Sequence, residues 1–134
     1  MGKVVNITEA VSIGLHSMVL IAQTKEQINV HEIAERTSSS KFHIAKILQK
    51  LVKENYLTSQ RGPAGGFMLA KPPETISLLN IYECIEGEIN LSECPINRPT
   101  CPFSKCIFGK LTIKMTRDFK DYLSSKYLSD FLDF

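Results

Sequence analysis

The reading of "VHEIAERTSSSKFHIAKILQKLVKENYLTSQRGPAGGFML", Val30 to Leu69, decides the fold. Val30, Ile33 and Ala34 fall on one face of a short helix. "TSSS" then breaks it, because hydroxyl side chains compete for backbone groups and favour turns and N-caps over helix interiors. From Ser40 a second apolar series, Ile44, Ile47, Leu48, Leu51 and Val52, predicts an amphipathic helix whose other face carries Lys41, His43, Lys46, Lys50 and Lys53. "TSQRGPAGGFML", Thr58 to Leu69, sets β-formers on both sides of a Pro/Gly turn. Gly62, Gly65 and Gly66 can take positive φ at little steric cost and Pro63 fixes its own φ, which predicts a hairpin presenting Arg61 at its tip. A short helix, a tight turn, a basic amphipathic helix and a hairpin make a winged helix-turn-helix.

Upstream, Ile7, Val11, Leu15, Met18, Val19 and Ala22 recur at helical spacing and predict a first helix of about five turns. Beyond Lys71-Pro72-Pro73 the composition shifts, dividing the chain into a winged helix over 1–75 and a second region over 76–134. "SLLNIYECIEGE" predicts a short helix with Ser77 as N-cap and Gly87 at its end. A polar, Pro-containing loop runs from Glu88 to Ser104, a length usually tied to function or mobility. Phe108, Leu111, Met115, Phe119 and Tyr122 then form one apolar stripe on a long C-terminal helix. A winged helix can cover only part of that stripe, so it reads as a dimerisation arm. The expected fold is mainly α with a small β-hairpin wing.

A chain of 134 residues with 43% hydrophobic content can bury one core. The formal charge of +2 is uninformative as a sum. From Lys41 to Arg61, however, five basic residues (Lys41, Lys46, Lys50, Lys53, Arg61) face one acid, Glu54. Such a field suits a polyanion. The basic helix fits a major groove, where its cations replace condensed counterions, and a wing arginine can enter a narrow minor groove. A dimer would place two such helices on a roughly palindromic duplex. No apolar run approaches a membrane span and no signal-peptide pattern occurs, which predicts a cytoplasmic protein without a membrane partner. No nucleophile and base spacing points to an enzyme.

"ECPINRPTCPFSKC" holds Cys94, Cys101 and Cys106. In a reducing compartment these are thiols or metal ligands before they are structural disulfides. Their spacing fits either a metal site or a set of free or redox-switching thiols. Iron–sulfur clusters are normally held by thiolates, whereas structural zinc prefers Cys-x-x-Cys pairs, which this loop lacks. Cys84 lies in a helical run with Leu78, Ile81 and Ile85, as a small buried hydrophobe would.

With the Arg-Gly-Pro-x-Gly-Gly-aromatic wing, the helices before it and the three-cysteine loop after it, the chain resembles the Rrf-two family of bacterial winged-helix transcription factors over nearly its whole length. The resemblance implies a homodimer that binds double-stranded promoter DNA and responds to redox, nitric oxide or iron–sulfur status through a cluster. Without a cluster, the same architecture would be a thiol-based regulator; an iron–sulfur electron carrier is the remaining alternative. The resemblance implies Cys94, Cys101 and Cys106 as cluster ligands. Some members add a histidine three residues after the last cysteine, where this chain has Gly109. Others take the fourth ligand from the first helix, where Glu9, Ser12 and His16 are on offer; His16 is preferred, since neutral imidazole is a better iron ligand than a hydroxyl. Cys84 is the runner-up. Carried over in the same way, Ser38, Ser40, Lys41, His43 and Lys46 are the groove or phosphate contacts, with Arg61 and Gly62 at the wing. Ala45 stands where some members have a glutamate used in site discrimination, so their base preference does not transfer.

Overall fold

A computed structural model describes residues 7–90 and 102–132. Helix α1 (Glu9–Gln23) starts at Thr8, whose hydroxyl accepts a hydrogen bond from the Val11 amide at 3.1 Å, with Glu9 in the first turn favourable to the helix dipole. It is about a turn shorter than the sequence predicts, and Ile7 lies exposed ahead of it. Its buried side chains are Val11, Ile13, Met18, Leu20 and Ile21, while Leu15, Val19 and Ala22 of the expected stripe are only half-buried. The wide buried arc arises because the later helices pack on α1 from more than one side.

Helix α2 (Val30–Thr37) is capped by Asn29, which accepts from the Glu32 amide at 2.9 Å. It ends with Ser38 in the left-handed conformation, φ 53° and ψ 40°, and the Ser39 amide donates back to the Ala34 carbonyl at 3.1 Å. Helix α3 (Lys41–Lys53) follows and buries Ile44, Ile47, Leu48 and Leu51, as its periodicity predicts, with Val52 half-buried. Its exit is a Schellman turn: Asn55 is left-handed at φ 67°, its amide donates to the Val52 carbonyl at 3.0 Å, and the Tyr56 amide reaches the Leu51 carbonyl at 2.9 Å. Asparagine tolerates that conformation better than most residues, so the chain leaves α3 directly into the wing.

The wing pairs β1 (Leu57–Gln60) with β2 (Gly66–Leu69) antiparallel, Leu57 opposite Leu69 and Gln60 opposite Gly66. A third, single-residue rung lies beyond the reach of sequence periodicity. Ile28, just before α2, bridges Phe67; the Phe67 amide donates to the Ile28 carbonyl at 2.8 Å and the Ile28 amide returns the bond at 3.3 Å. This ties the wing to the entrance of the helix-turn-helix. It also corrects the reading of the glycines. Gly62 and Gly66 do have positive φ, at +106° and +159°, and Gly66 also requires space: a Cβ there would stand 2.6 Å from the Ile28 carbonyl oxygen. Gly65, whose φ is not positive, is likewise pressed against the Gln60 backbone. Gly66→Ala should therefore cost about 1–3 kcal/mol through a forced backbone shift, read as a lower urea midpoint. A wild-type midpoint would mean that the Ile28 rung is dispensable.

After a short 3-10 turn (Pro73–Thr75), α4 (Leu78–Glu86) opens on a capping box. The Ser77 hydroxyl accepts from the Asn80 amide at 3.0 Å, and the Asn80 side chain accepts from the Ser77 amide at 2.9 Å. Gly87 closes it, as expected. Helix α5 (Leu111–Ser125) lays Thr112, Thr116 and Leu123 inward, and Phe119 meets Tyr82 edge to face at 5.3 Å between ring centroids. Thr116 keeps its buried hydroxyl satisfied by donating to the Thr112 carbonyl at 2.8 Å. The apolar stripe lies beside this inward face: Leu111, Met115 and Tyr122 are 55%, 46% and 55% exposed. After α5 the chain folds back, with Tyr127 bridging Ser77 and the Leu128 amide donating to the Ile76 carbonyl at 3.0 Å. Leu128 begins a final 3-10 turn (Leu128–Phe131) and is fully buried. Among the described residues, one hydrophobic cluster joins α1 to α3, the wing, Ile76, α4, Leu123 and Leu128.

Candidate nucleic-acid interface and cysteine loop

The two elements expected to meet DNA share one architecture. The apolar side of α3 is anchored in the core, so Lys41, His43, Lys46, Lys50 and Lys53 are all exposed on the other side. His43, Lys46 and Lys50 line one shallow cleft of about 160 Å³ next to Ala10 of α1. Ser38 and Ser40 are exposed at the turn ahead of α3. Ser40 occupies the N-cap position without spending its hydroxyl on a capping hydrogen bond. That leaves the hydroxyl and the first amides of α3, at the positive end of its dipole, able to meet an anion.

Arg61 and Gly62 are exposed at the wing tip, where the Gly65 amide donates to the Gly62 carbonyl at 3.0 Å and closes the turn. None of these cations has a carboxylate partner among the described residues; the single ion pair there is Lys114 with Asp118, at 3.6 Å on α5. An unneutralised cationic helix beside an unneutralised wing arginine is the arrangement that a phosphate backbone rewards.

The cysteines are a different matter. Cys106 is exposed on the turn before α5, its carbonyl accepting from the Gly109 amide at 3.2 Å. Cys94 and Cys101 lie outside the described residues. His16 is exposed on α1, and its Nδ1 lies 2.7 Å from the Ser12 carbonyl oxygen. A proton on Nδ1 makes that contact a hydrogen bond and leaves Nε2 with a free lone pair, the orientation in which imidazole takes a metal. His16 lines a groove of about 500 Å³ together with Leu15, Leu78, Tyr122 and Phe131.

The donor chemistry, three thiols and an oriented imidazole, fits an iron–sulfur cluster. The described residues do not themselves bring three His, Cys, Asp or Glu side chains together into a metal site. Cys84 is half-buried, with its thiol donating to the Lys50 carbonyl at 3.6 Å. Burial raises its pKa above the ordinary thiol value, Glu54 adds to the rise and Lys50 opposes it. A thiol shifted in this direction is a weaker nucleophile than an ordinary cysteine.

A helix, a tight turn, an exposed basic helix and a hairpin wing define a winged-helix protein. The Rrf2 family profile, described as an iron-dependent transcriptional regulator, matches residues 7–133. The transcriptional regulator NsrR of Bacillus licheniformis is 32% identical over 90 residues, covering 66% of this chain and 63% of that protein, so the chain spans just under two thirds of that relative's length. Among solved structures, CymR, the global cysteine regulator of B. subtilis, aligns with a TM-score of 0.77 at 23% identity over 96% of each chain. IscR of T. potens aligns with a TM-score of 0.76 at 23% identity, over 96% of this chain and 86% of that one. The chain belongs to the Rrf2 family of transcriptional regulators. Among the described residues, no helix is long and apolar enough to cross a membrane.

Proposed function

We propose that the chain is a dimeric, DNA-binding regulator that senses redox, nitric oxide or iron–sulfur status through its three-cysteine loop. The observation that carries the DNA half is the unpaired cationic face of α3 beside Arg61. Lys41, His43 and Lys46, with the Ser38 and Ser40 hydroxyls, would meet the major groove and its phosphates, and Arg61, at the turn opened by Gly62, the adjoining minor groove. Residues 1–75 would form the DNA-binding unit and 76–134 the sensing and dimerising unit. The exposed stripe of Leu111, Met115 and Tyr122 would be covered by a second copy, because a row of large apolar side chains on a helix is costly to leave in water.

Cys94, Cys101 and Cys106 would hold the cluster, with His16 as fourth ligand. A bound cluster supplies a group that nitric oxide or oxygen can attack and that iron scarcity depletes. Cys106 sits five residues ahead of α5, so a change in what its sulfur holds would bias the arrangement of the loop beside the proposed dimer arm. The family description as iron-dependent supports this reading.

A second reading, direct thiol oxidation without a cluster, is favoured by Gly109 at the position where some members carry a histidine ligand, and by the exposure of Cys106. One experiment separates the two. Anaerobically purified protein should absorb in the visible and contain iron and sulfide, and Cys101→Ser should lose both along with signal-dependent DNA binding. Iron-free wild-type protein whose DNA affinity still changes on thiol oxidation would establish the second reading in its place.

A further inference from the structure

The outward face of α3 holds a residue that is neither charged nor polar. Phe42 is 79% exposed, more than any other large hydrophobic side chain among the described residues, and it takes no part in the core cluster. A solitary exposed hydrophobe needs no explanation by itself; its position does. At about 100° per residue, Phe42 lies in line with Lys46, Gln49 and Lys53, diametrically opposite the buried Ile44, Ile47, Leu48 and Leu51. It is thus at the centre of the cationic face, with the Lys41 ammonium 5.8 Å from its ring centroid. It also stands in the first turn of α3, the end of a reading helix that reaches base edges.

We infer that Phe42 reads the C5-methyl group of a thymine on the floor of the major groove, which makes it a specificity-determining residue. The inference rests on the DNA-binding reading of α3. The thymine methyl is the apolar feature of the major-groove edge, set among hydrogen-bond donors and acceptors. A phenyl ring cannot satisfy those polar groups, and it gains by removing both itself and the methyl from water. The lysines beside it bind phosphate whatever the sequence, so they set affinity and register. Phe42 supplies discrimination.

The test uses the full chain and a duplex that it enriches from a random pool. Each thymine is replaced in turn by uracil, which deletes the methyl and leaves base pairing and the O4 acceptor intact. Wild type should bind about fourfold more weakly per critical methyl, the yield of burying one such group, at one or more positions in each half of the site. Phe42→Ala should bind the thymine and uracil duplexes equally and melt close to wild type, since the side chain lies outside the core and meets only the exposed Lys41 ammonium. Phe42→Leu should keep the preference for thymine. Equal binding of both duplexes by wild type at every position, or an undiminished uracil penalty in Phe42→Ala, overturns the assignment and leaves DNA binding standing. Failure of wild type to enrich any duplex removes the DNA-binding reading itself, and this inference with it.

Discussion

Replacing Lys46 and Arg61 together by glutamine should lower affinity for duplex DNA about a hundredfold or more and leave the fold intact. Each cation should be worth about 1–3 kcal/mol of charge-assisted interaction with phosphate or base. Both side chains are exposed and neither pairs with a carboxylate among the described residues, so glutamine disturbs no internal ion pair that the structure records. The salt dependence should change as well. A plot of log affinity against log salt should flatten by about one for each phosphate-contacting cation removed, hence by at least about one for each bound protomer through Lys46. Fluorescence anisotropy over a salt series measures both effects. Unchanged occupancy in the double variant would sink the DNA-binding proposal, whatever the thiols hold.

The second large effect should come from the opposite face of the same helix. Leu48 is fully buried in the cluster that joins α3 to the rest of the core. Truncation to alanine removes three heavy atoms from a packed site that can only partly collapse, at a cost of about 2–5 kcal/mol. Against a typical domain stability of about 5–15 kcal/mol, that is a large fraction. The urea midpoint should fall steeply with the slope unchanged, and any loss of DNA binding should track the loss of folded protein. Lys50→Ala, two residues on and exposed, should melt within about 0.5 kcal/mol of wild type. A Leu48→Ala variant as stable as wild type would mean that α3 is not seated as described.

Both effects are legible in the sequence because α3 and the Pro/Gly turn after it are its clearest passages: an apolar series of helical period on one side of the helix, cations on the other, and Arg61 at the turn. Other parts are hidden for identifiable reasons. The inward face of α5 is built largely of threonines, Thr112 and Thr116, with Phe119 and Leu123. The apolar periodicity of the sequence therefore shares only Phe119 with that face and otherwise marks the neighbouring exposed stripe. The Ile28 rung is one residue long and pairs with Phe67 across the whole helix-turn-helix, so no strand pattern announces it. Gly65 looks like a residue chosen for an unusual torsion angle, whereas the nearby backbone of Gln60 is the constraint, and at Gly66 the Ile28 backbone adds a second constraint to its positive φ. Asn55 carries a readable signal, since asparagine after a helix is a known left-handed terminator. At the candidate site the cations are legible and Phe42 is not, because an apolar residue in a polar face carries no periodic signature. Cys94 and Cys101 fall outside the described residues, so the role proposed for them rests on spacing and on the family resemblance.

The Ile28 rung has one more consequence. It fastens the wing to the chain just ahead of α2, while α3 is locked into the same core, so α2, α3 and the hairpin must travel as a unit. An effector acting through the loop before α5 could not re-aim Lys46 relative to Arg61 without tearing that rung. In the proposed dimer, what it could adjust is how far one such unit stands from its twin. Regulation built this way would alter the tolerated gap between the two arms of an operator and leave the preferred letters within each arm unchanged.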